Sequence, residues 1–215
     1  MQGDILLIEE EHRSAAAAII DRLSAEIAST DRRYTMTVAG ESGSGKSETG
    51  QALADAVAER GLGAVVLQQD DYYVLPPASN DAARRANFCW VGTTEVRLEL
   101  LDEHLASARA GAGSIVKPLV VYADNRITEE TLSLEGVDVV IAEGVYTSLC
   151  EHVDRRVFIA RNRLETMEHR RRRAREEFDP FIEDVLTKEH EIISEHRARA
   201  DVVVTRDYDV EFVSV

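Results

Sequence analysis

Gly40-Glu41-Ser42-Gly43-Ser44-Gly45-Lys46-Ser47 has the spacing G-x-x-x-x-G-K-S, that of a phosphate-binding loop, and this stretch decides the fold. Each element has a chemical reason. The glycines allow backbone dihedrals that turn several N–H groups inward around an anion. Lys46 reaches the β- and γ-phosphates, and the Ser47 hydroxyl ligates Mg2+. The helix expected to follow adds its positive N-terminal end. Gly40, Ser42, Gly43, Ser44, Gly45, Lys46, Ser47 and Glu48 are therefore the expected contacts of a nucleotide, ATP or GTP, carried with Mg2+.

The flanks have the required pattern. Tyr34 to Ala39 is a run of β-formers that predicts a strand entering the loop. Lys46 to Arg60 predicts a helix leaving it, with Ala52, Leu53, Val57 and Ala58 apolar and Gly61 and Gly63 as stops. Further strands are predicted at Ala64–Leu67, Val137–Ala142, Arg156–Ala160 and Asp201–Thr205, with Ser114–Val121 extended. They are interleaved with predicted helices at Thr94–Ala110, Arg163–Glu177 and Lys188–Ala198. That alternation predicts a three-layer α/β fold of the P-loop NTPase type, a parallel sheet flanked by helices. Residues 12–29 predict one more helix, amphipathic through Ala16, Ile20, Leu23 and Ile27, and Asp31-Arg32-Arg33 breaks its pattern.

Composition narrows the partners. The 215 residues carry 25 Lys+Arg against 40 Asp+Glu, a formal net charge of −15. Phosphate neutralisation along a polymer needs clustered cations, so nucleic acid and anionic membrane surfaces are excluded as general partners. A local pocket can still hold a small anion. Hydrophobic residues make up 44% of the chain, enough for a buried core. The two cysteines, Cys89 and Cys150, form no C-x-x-C pair, which points to reduced thiols and a cytoplasmic setting. Cys89 is expected to be a packed thiol. The first residues do not form a secretory leader, no apolar run approaches membrane-spanning length, and six scattered histidines suggest no zinc site.

Nucleotide binding alone does not name an activity. No N-K-x-D guanine motif occurs, and Leu132-Ser133-Leu134-Glu135-Gly136 is a poor imitation of a transport-ATPase signature. A small-molecule kinase remains. It needs a carboxylate near the γ-phosphate to orient a hydroxyl and take its proton. Open α/β sheets bind ligands at the carboxyl ends of their strands, where Asp70 and Asp71 follow Ala64–Leu67. Asp70 is the expected base and metal neighbour. Glu143, closing the strand at Val137–Ala142, is the expected second acid, linked to the Mg2+ shell. Residues 1–33 then form an N-terminal helical extension, and 34–215 a P-loop kinase domain.

Several segments in order across residues 34–206 resemble the uridine kinase and phosphoribulokinase-like family. Gln69-Asp70-Asp71-Tyr72-Tyr73 resembles its Q-D-S-F-Y, Asn87-Phe88 its N-F-D-H-P, and Ile141-Ala142-Glu143-Gly144 its F-E-G. Ser194 to Val204 resembles the S-K-R-Y-A-D stretch before the last strand. The resemblance implies phosphorylation of a small molecule's hydroxyl, classically of a nucleoside. It makes Asp70 the base, Tyr73 and Asn87 substrate contacts, and Arg170 and Arg173 members of an arginine lid that offsets phosphate charge. Tyr122 and Arg126 correspond to a loosely kept P-x-Y-D-F-x-x-H-x-R segment on the acceptor side.

The acceptor side departs from the family pattern. Cys89-Trp90-Val91 stands where D-H-P is usual, and Phe178-Asp179-Pro180 stands in place of a second arginine pair. The acceptor therefore stays open between a nucleoside and a sugar phosphate or vitamin precursor. A regulatory nucleotide-binding protein is the alternative from another class, and self-association into a homo-oligomer is also left open.

Overall fold

The computed structural model describes residues 6–162 and 179–213. Its main sheet uses β1 (Tyr34–Gly40), β2 (Ala64–Gln68), β5 (Val139–Glu143), β6 (Arg155–Ile159), β7 (Val202–Val204) and β8 (Val210–Phe212), in the order β2-β5-β1-β6-β7-β8. All pairings are parallel except β7–β8, so the sheet is mixed with one antiparallel edge. β1 and β5 are buried along their whole length, which fits their mostly apolar or small residues up to Glu143 at the end of β5.

Helices cover both faces. On one lie α1 (Glu10–Ser29) and α2 (Lys46–Ala58), burying Ala16, Ile20, Leu23 and Ile27 of α1 with Leu53 and Val57 of α2 against Met36, Val38 and Ile141. On the other, α4 (Leu98–Arg109) and α5 (Pro180–Ile193) contribute Leu101, Leu105 and Ile193 to a cluster with Val140, Ala142 and Phe158. α3 (Pro77–Ala86) connects β2 to α4. No helix among the described residues is long and apolar enough to cross a membrane.

Asp31-Arg32-Arg33 does end α1, and the two arginines are then used as latches. Arg32 forks onto Asp154 at 2.9 and 2.6 Å, and Asp154 also accepts from the Thr35 amide and hydroxyl. Arg33 donates to the carbonyls of Ala108, Ala112, Leu134 and Val137, tying the amino end of β1 to α4 and to the approach to β5.

One local expectation holds, one is revised and one falls outside the described residues. Ser114–Val121 is β3, and it pairs antiparallel with β4 (Arg126–Ser133), a separate hairpin outside the main sheet. The helix expected at Lys188–Ala198 starts earlier, at Pro180, because Asp179 caps it by accepting from the Phe181 amide and proline occupies its first turn. It ends at Ile193, and a 3-10 segment runs to Arg199. The charged helix expected at Arg163–Glu177 lies outside the described residues.

Candidate active site

Register brings three strand ends together. Glu143, the last residue of β5, lies opposite Val38 of β1 on one side and Gln68 of β2 on the other. The phosphate loop leaves β1, and Asp70 lies in a one-turn 3-10 segment, Gln69–Tyr72, leaving β2. The carboxyl edge of the sheet thus gathers Lys46, Ser47, Asp70 and Glu143.

Within the loop, Gly45 adopts φ 96° at the start of α2, a conformation side-chain-bearing residues rarely take. Space excludes a side chain as well: a Cβ there would meet the Tyr208 hydroxyl at 2.8 Å and His12 Nε2 at 3.0 Å. His12 accepts from the Glu9 amide at the start of α1 and shares a 2.9 Å hydrogen bond with the Tyr208 hydroxyl, to which Arg161 donates at 2.6 Å. Lys46 is buried and donates to the Glu41 carbonyl at 3.0 Å. The buried Ser44 hydroxyl has no partner among the described residues. α5 grips the loop from the far side: Ser42 donates to Glu189 at 2.7 Å, and Glu41 shares a 2.6 Å hydrogen bond with His190.

Asp70 and Asp71, adjacent in sequence, have different fates. Asp71 is buried, accepting from Lys117 Nζ at 2.7 Å and from the Val120 amide at 2.9 Å, so it anchors the β3–β4 hairpin. Asp70 is half-buried and close enough to Glu143 for its charge to act there. Burial, then Asp70, push the Glu143 carboxyl up to about 7, while Lys46 and a hydrogen bond from Ser47 pull the other way. Glu48, also buried, adds a smaller upward push.

Gln69 braces this pair. Its side-chain carbonyl accepts from the Tyr146 amide at 2.7 Å, linking the turn after β2 to the turn after β5. Gly144 lies so close that a Cβ would sit 2.2 Å from Gln69 Cβ.

On the acceptor side, Tyr73 lies among the charges of the site, and the other expected residues have local roles in the fold. Tyr73 is pushed up by burial, with the charges of Arg84, Asp70, Glu189 and Glu95 all acting on it. Asn87 caps a short turn by accepting from the Cys89 amide. Tyr122 and Arg126 are exposed at the tip of the hairpin, where Arg126 pairs with Asp124. Arg170 and Arg173 lie outside the described residues. Cys89 is exposed rather than packed, because its segment follows α3 as a surface 3-10 turn.

Sequence reasoning missed Arg84, Glu95, Tyr146 and Glu189. Arg84 of α3 donates to Glu95 through Nε at 2.6 Å and Nη2 at 2.8 Å, and the Glu95 side chain is wholly buried. The backbone sets this pair beside Tyr73, through a bridge between Tyr73 and Val96 and a hydrogen bond from the Val74 amide to the Glu95 carbonyl. Buried charges held by partners far away in sequence carry no local signal. Among the described residues no cluster of three or more histidine, cysteine or acidic side chains is placed to hold a metal by itself.

The model of the phosphoribulokinase / uridine kinase family matches residues 35–175. A uridine kinase from Bacillus mycoides is 26% identical over 187 residues, covering 81% of this chain and 86% of that protein. A bifunctional alpha-galactosidase/sucrose kinase from Mediterraneibacter gnavus is 29% identical over 194 residues, 84% of this chain. The match spans only 21% of that longer protein. A crystal structure assigned as a fructose transport system kinase, from Silicibacter sp. TM1040, superposes with a TM-score of 0.64 at 18% identity, covering 87% of this chain and 98% of that one. With the family model matching well over half of the residues, the chain belongs to the phosphoribulokinase / uridine kinase family.

Proposed function

We propose that the protein transfers the γ-phosphate of ATP to a hydroxyl of a small polyhydroxylated molecule, a nucleoside or a sugar, with Mg2+. The observation that carries this reading is the juxtaposition of Asp70 and Glu143 with Lys46 and Ser47 at one sheet edge. The names of the relatives, a uridine kinase and a sucrose kinase, support these two acceptor classes.

The residues fit a nucleoside triphosphate. The unpartnered Ser44 hydroxyl, the Lys46 ammonium resting on a backbone carbonyl, and the amides opening α2 all suit phosphate oxygens. Ser47, Glu143 and Asp70 offer the hard oxygen donors that Mg2+ prefers, and two carboxylates suffice when phosphates complete the shell. Bound Mg2+ offsets charge on the transferring group. Lys46 acts on the same phosphates, and Asp70 accepts the proton of the attacking hydroxyl. Glu143, its carboxyl raised by burial and by Asp70, is the more buried member of the pair.

Asp70→Asn tests the assignment. General-base catalysis contributes on the order of a hundredfold or more. Turnover in an ADP-release assay should fall by at least that much, while binding of metal-free ATP in EDTA, which does not draw on Asp70, is retained. Near wild-type turnover in this variant would remove Asp70 from the chemistry.

A further inference from the structure

A second polar cluster adjoins the reacting centre. Arg84 is fixed by the fork onto Glu95. Glu95 is in turn fixed by Asn80 Nδ2 at 2.8 Å and the Gly92 amide at 3.2 Å, and Asn80 accepts from Trp90 Nε1 at 2.8 Å. A guanidinium has five N–H donors, and this fork uses two. Arg84 Nη2 also lies 3.5 Å from the Tyr73 hydroxyl and 3.7 Å from Glu189. Glu189 is buried, accepts from Ser42 of the phosphate loop, and feels the charge of Lys46.

Tyr146 supplies an independent observation. Its side chain is fully buried, yet its hydroxyl has no hydrogen-bond partner among the described residues. Its backbone amide is tied to Gln69, beside Asp70, and the charges of Glu189, Glu95 and Arg84 act on its side chain. Buried polar groups in folded proteins are almost always satisfied, so an orphaned hydroxyl within the field of an arginine and two carboxylates marks a place for an external polar group.

The charge balance says what kind. Arg84 is one cation shared between two carboxylates, Glu95 and Glu189, with Asp70 a third acid acting on the intervening Tyr73. Among the described residues the cluster offers no net positive charge to an anion. It offers a carboxylate acceptor, spare guanidinium donors and a phenol that both donates and accepts, the complement of neighbouring hydroxyls.

We propose that Arg84, Tyr146 and Glu189 form the acceptor subsite, that it reads a vicinal diol on an uncharged molecule, and that it rejects acceptors already bearing phosphate or carboxylate. This inference rests on the kinase reading above and narrows it, against a sugar phosphate as acceptor. The diol can belong to a free sugar or to the ribose of a nucleoside.

The test is steady-state ADP release by the full chain with three sets of acceptors. One set is neutral sugars (fructose, sucrose, ribose), another is nucleosides (uridine, cytidine), and the last is fructose 6-phosphate, uridine 5′-monophosphate and glycerate. Turnover is expected in one of the first two sets, and which of them responds identifies the source of the diol. Acceptor kcat/KM is expected to be at least a hundredfold above that of any charged compound. Tyr146→Phe, which removes one oxygen, should raise acceptor KM about tenfold and leave the KM for ATP within twofold. If Tyr146→Phe proves unstable by thermal melting, Glu189→Gln should raise acceptor KM by a similar factor, its amide oxygen still accepting from Ser42. A charged acceptor that outperforms every neutral one, or unchanged acceptor KM in both variants, overturns the subsite while leaving the kinase reading intact. Tight ATP binding by calorimetry with no turnover in any set overturns the kinase reading, and the subsite with it.

Discussion

Glu143→Gln is expected to stabilise the metal-free protein at alkaline pH while removing its activity. The side chain is 3% exposed, and its carboxyl is lifted from an ordinary 4.5 to about 7 by burial and by Asp70. At about 1.4 kcal/mol for each factor of ten in proton affinity, that lift amounts to about 3 kcal/mol. The sign follows from which form the fold prefers. Below pH 4.5 the group is protonated folded or unfolded and contributes no penalty. Between 4.5 and 7 the unfolded chain loses its proton first, so folding increasingly opposes ionisation, and above 7 the penalty is complete. Glutamine mimics the protonated form and can still accept from Ser47. Urea denaturation of both proteins in EDTA, at intervals from pH 5 to 8.5, reads this group together with its neighbour Asp70, because the remaining carboxyls cancel in the difference. The variant should gain about 2.5 kcal/mol over wild type between those two limits. Its ADP release should be lost at every pH. A difference that stays flat with pH, or a variant less stable than wild type at pH 8.5, would refute the reasoning that burial and Asp70 destabilise the ionised form.

Two further substitutions probe the scaffold of the site. Gly144→Ala forces a Cβ onto Gln69 and should cost about 1–3 kcal/mol in urea denaturation, the range for overpacking, whereas an unchanged midpoint would show that the two turns are not braced. Lys117→Met leaves Asp71 buried without its cation and should cost about 3–5 kcal/mol; adding Asp71→Asn should recover part of that loss, and simple additivity would argue against the pair.

The phosphate loop could be read from sequence because its chemistry is local: eight consecutive residues, a strand before and a helix after. The parallel core strands were legible for a related reason, since burial on both faces favours the apolar run of β5 and the β-branched and apolar residues of β1. The hairpin partner β4 was not. Arg126-Ile127-Thr128-Glu129-Glu130-Thr131-Leu132-Ser133 carries three charges because none of its residues is buried and every other one or so is exposed, and a polar ribbon resembles a loop. The acceptor side was least legible. Arg84, Glu95 and Glu189 look like surface residues in the chain, and only the fold discloses that they are buried against one another. Asp70 and Asp71 cannot be told apart by type, and what separates them is a lysine 46 positions further on.

The turn at Gly45 bears on how such a loop is inherited. Its shape is walled by His12, from the first described helix, and by Tyr208, from the connection before the last strand. A larger residue at 12 or 208 has nowhere to go except into the turn, and a smaller one removes a wall. Drift at either position is thus coupled to the motif without touching any letter of it. The eight-residue string is therefore not a portable cassette: grafted into another chain without its two walls, it carries the spelling but not the curvature.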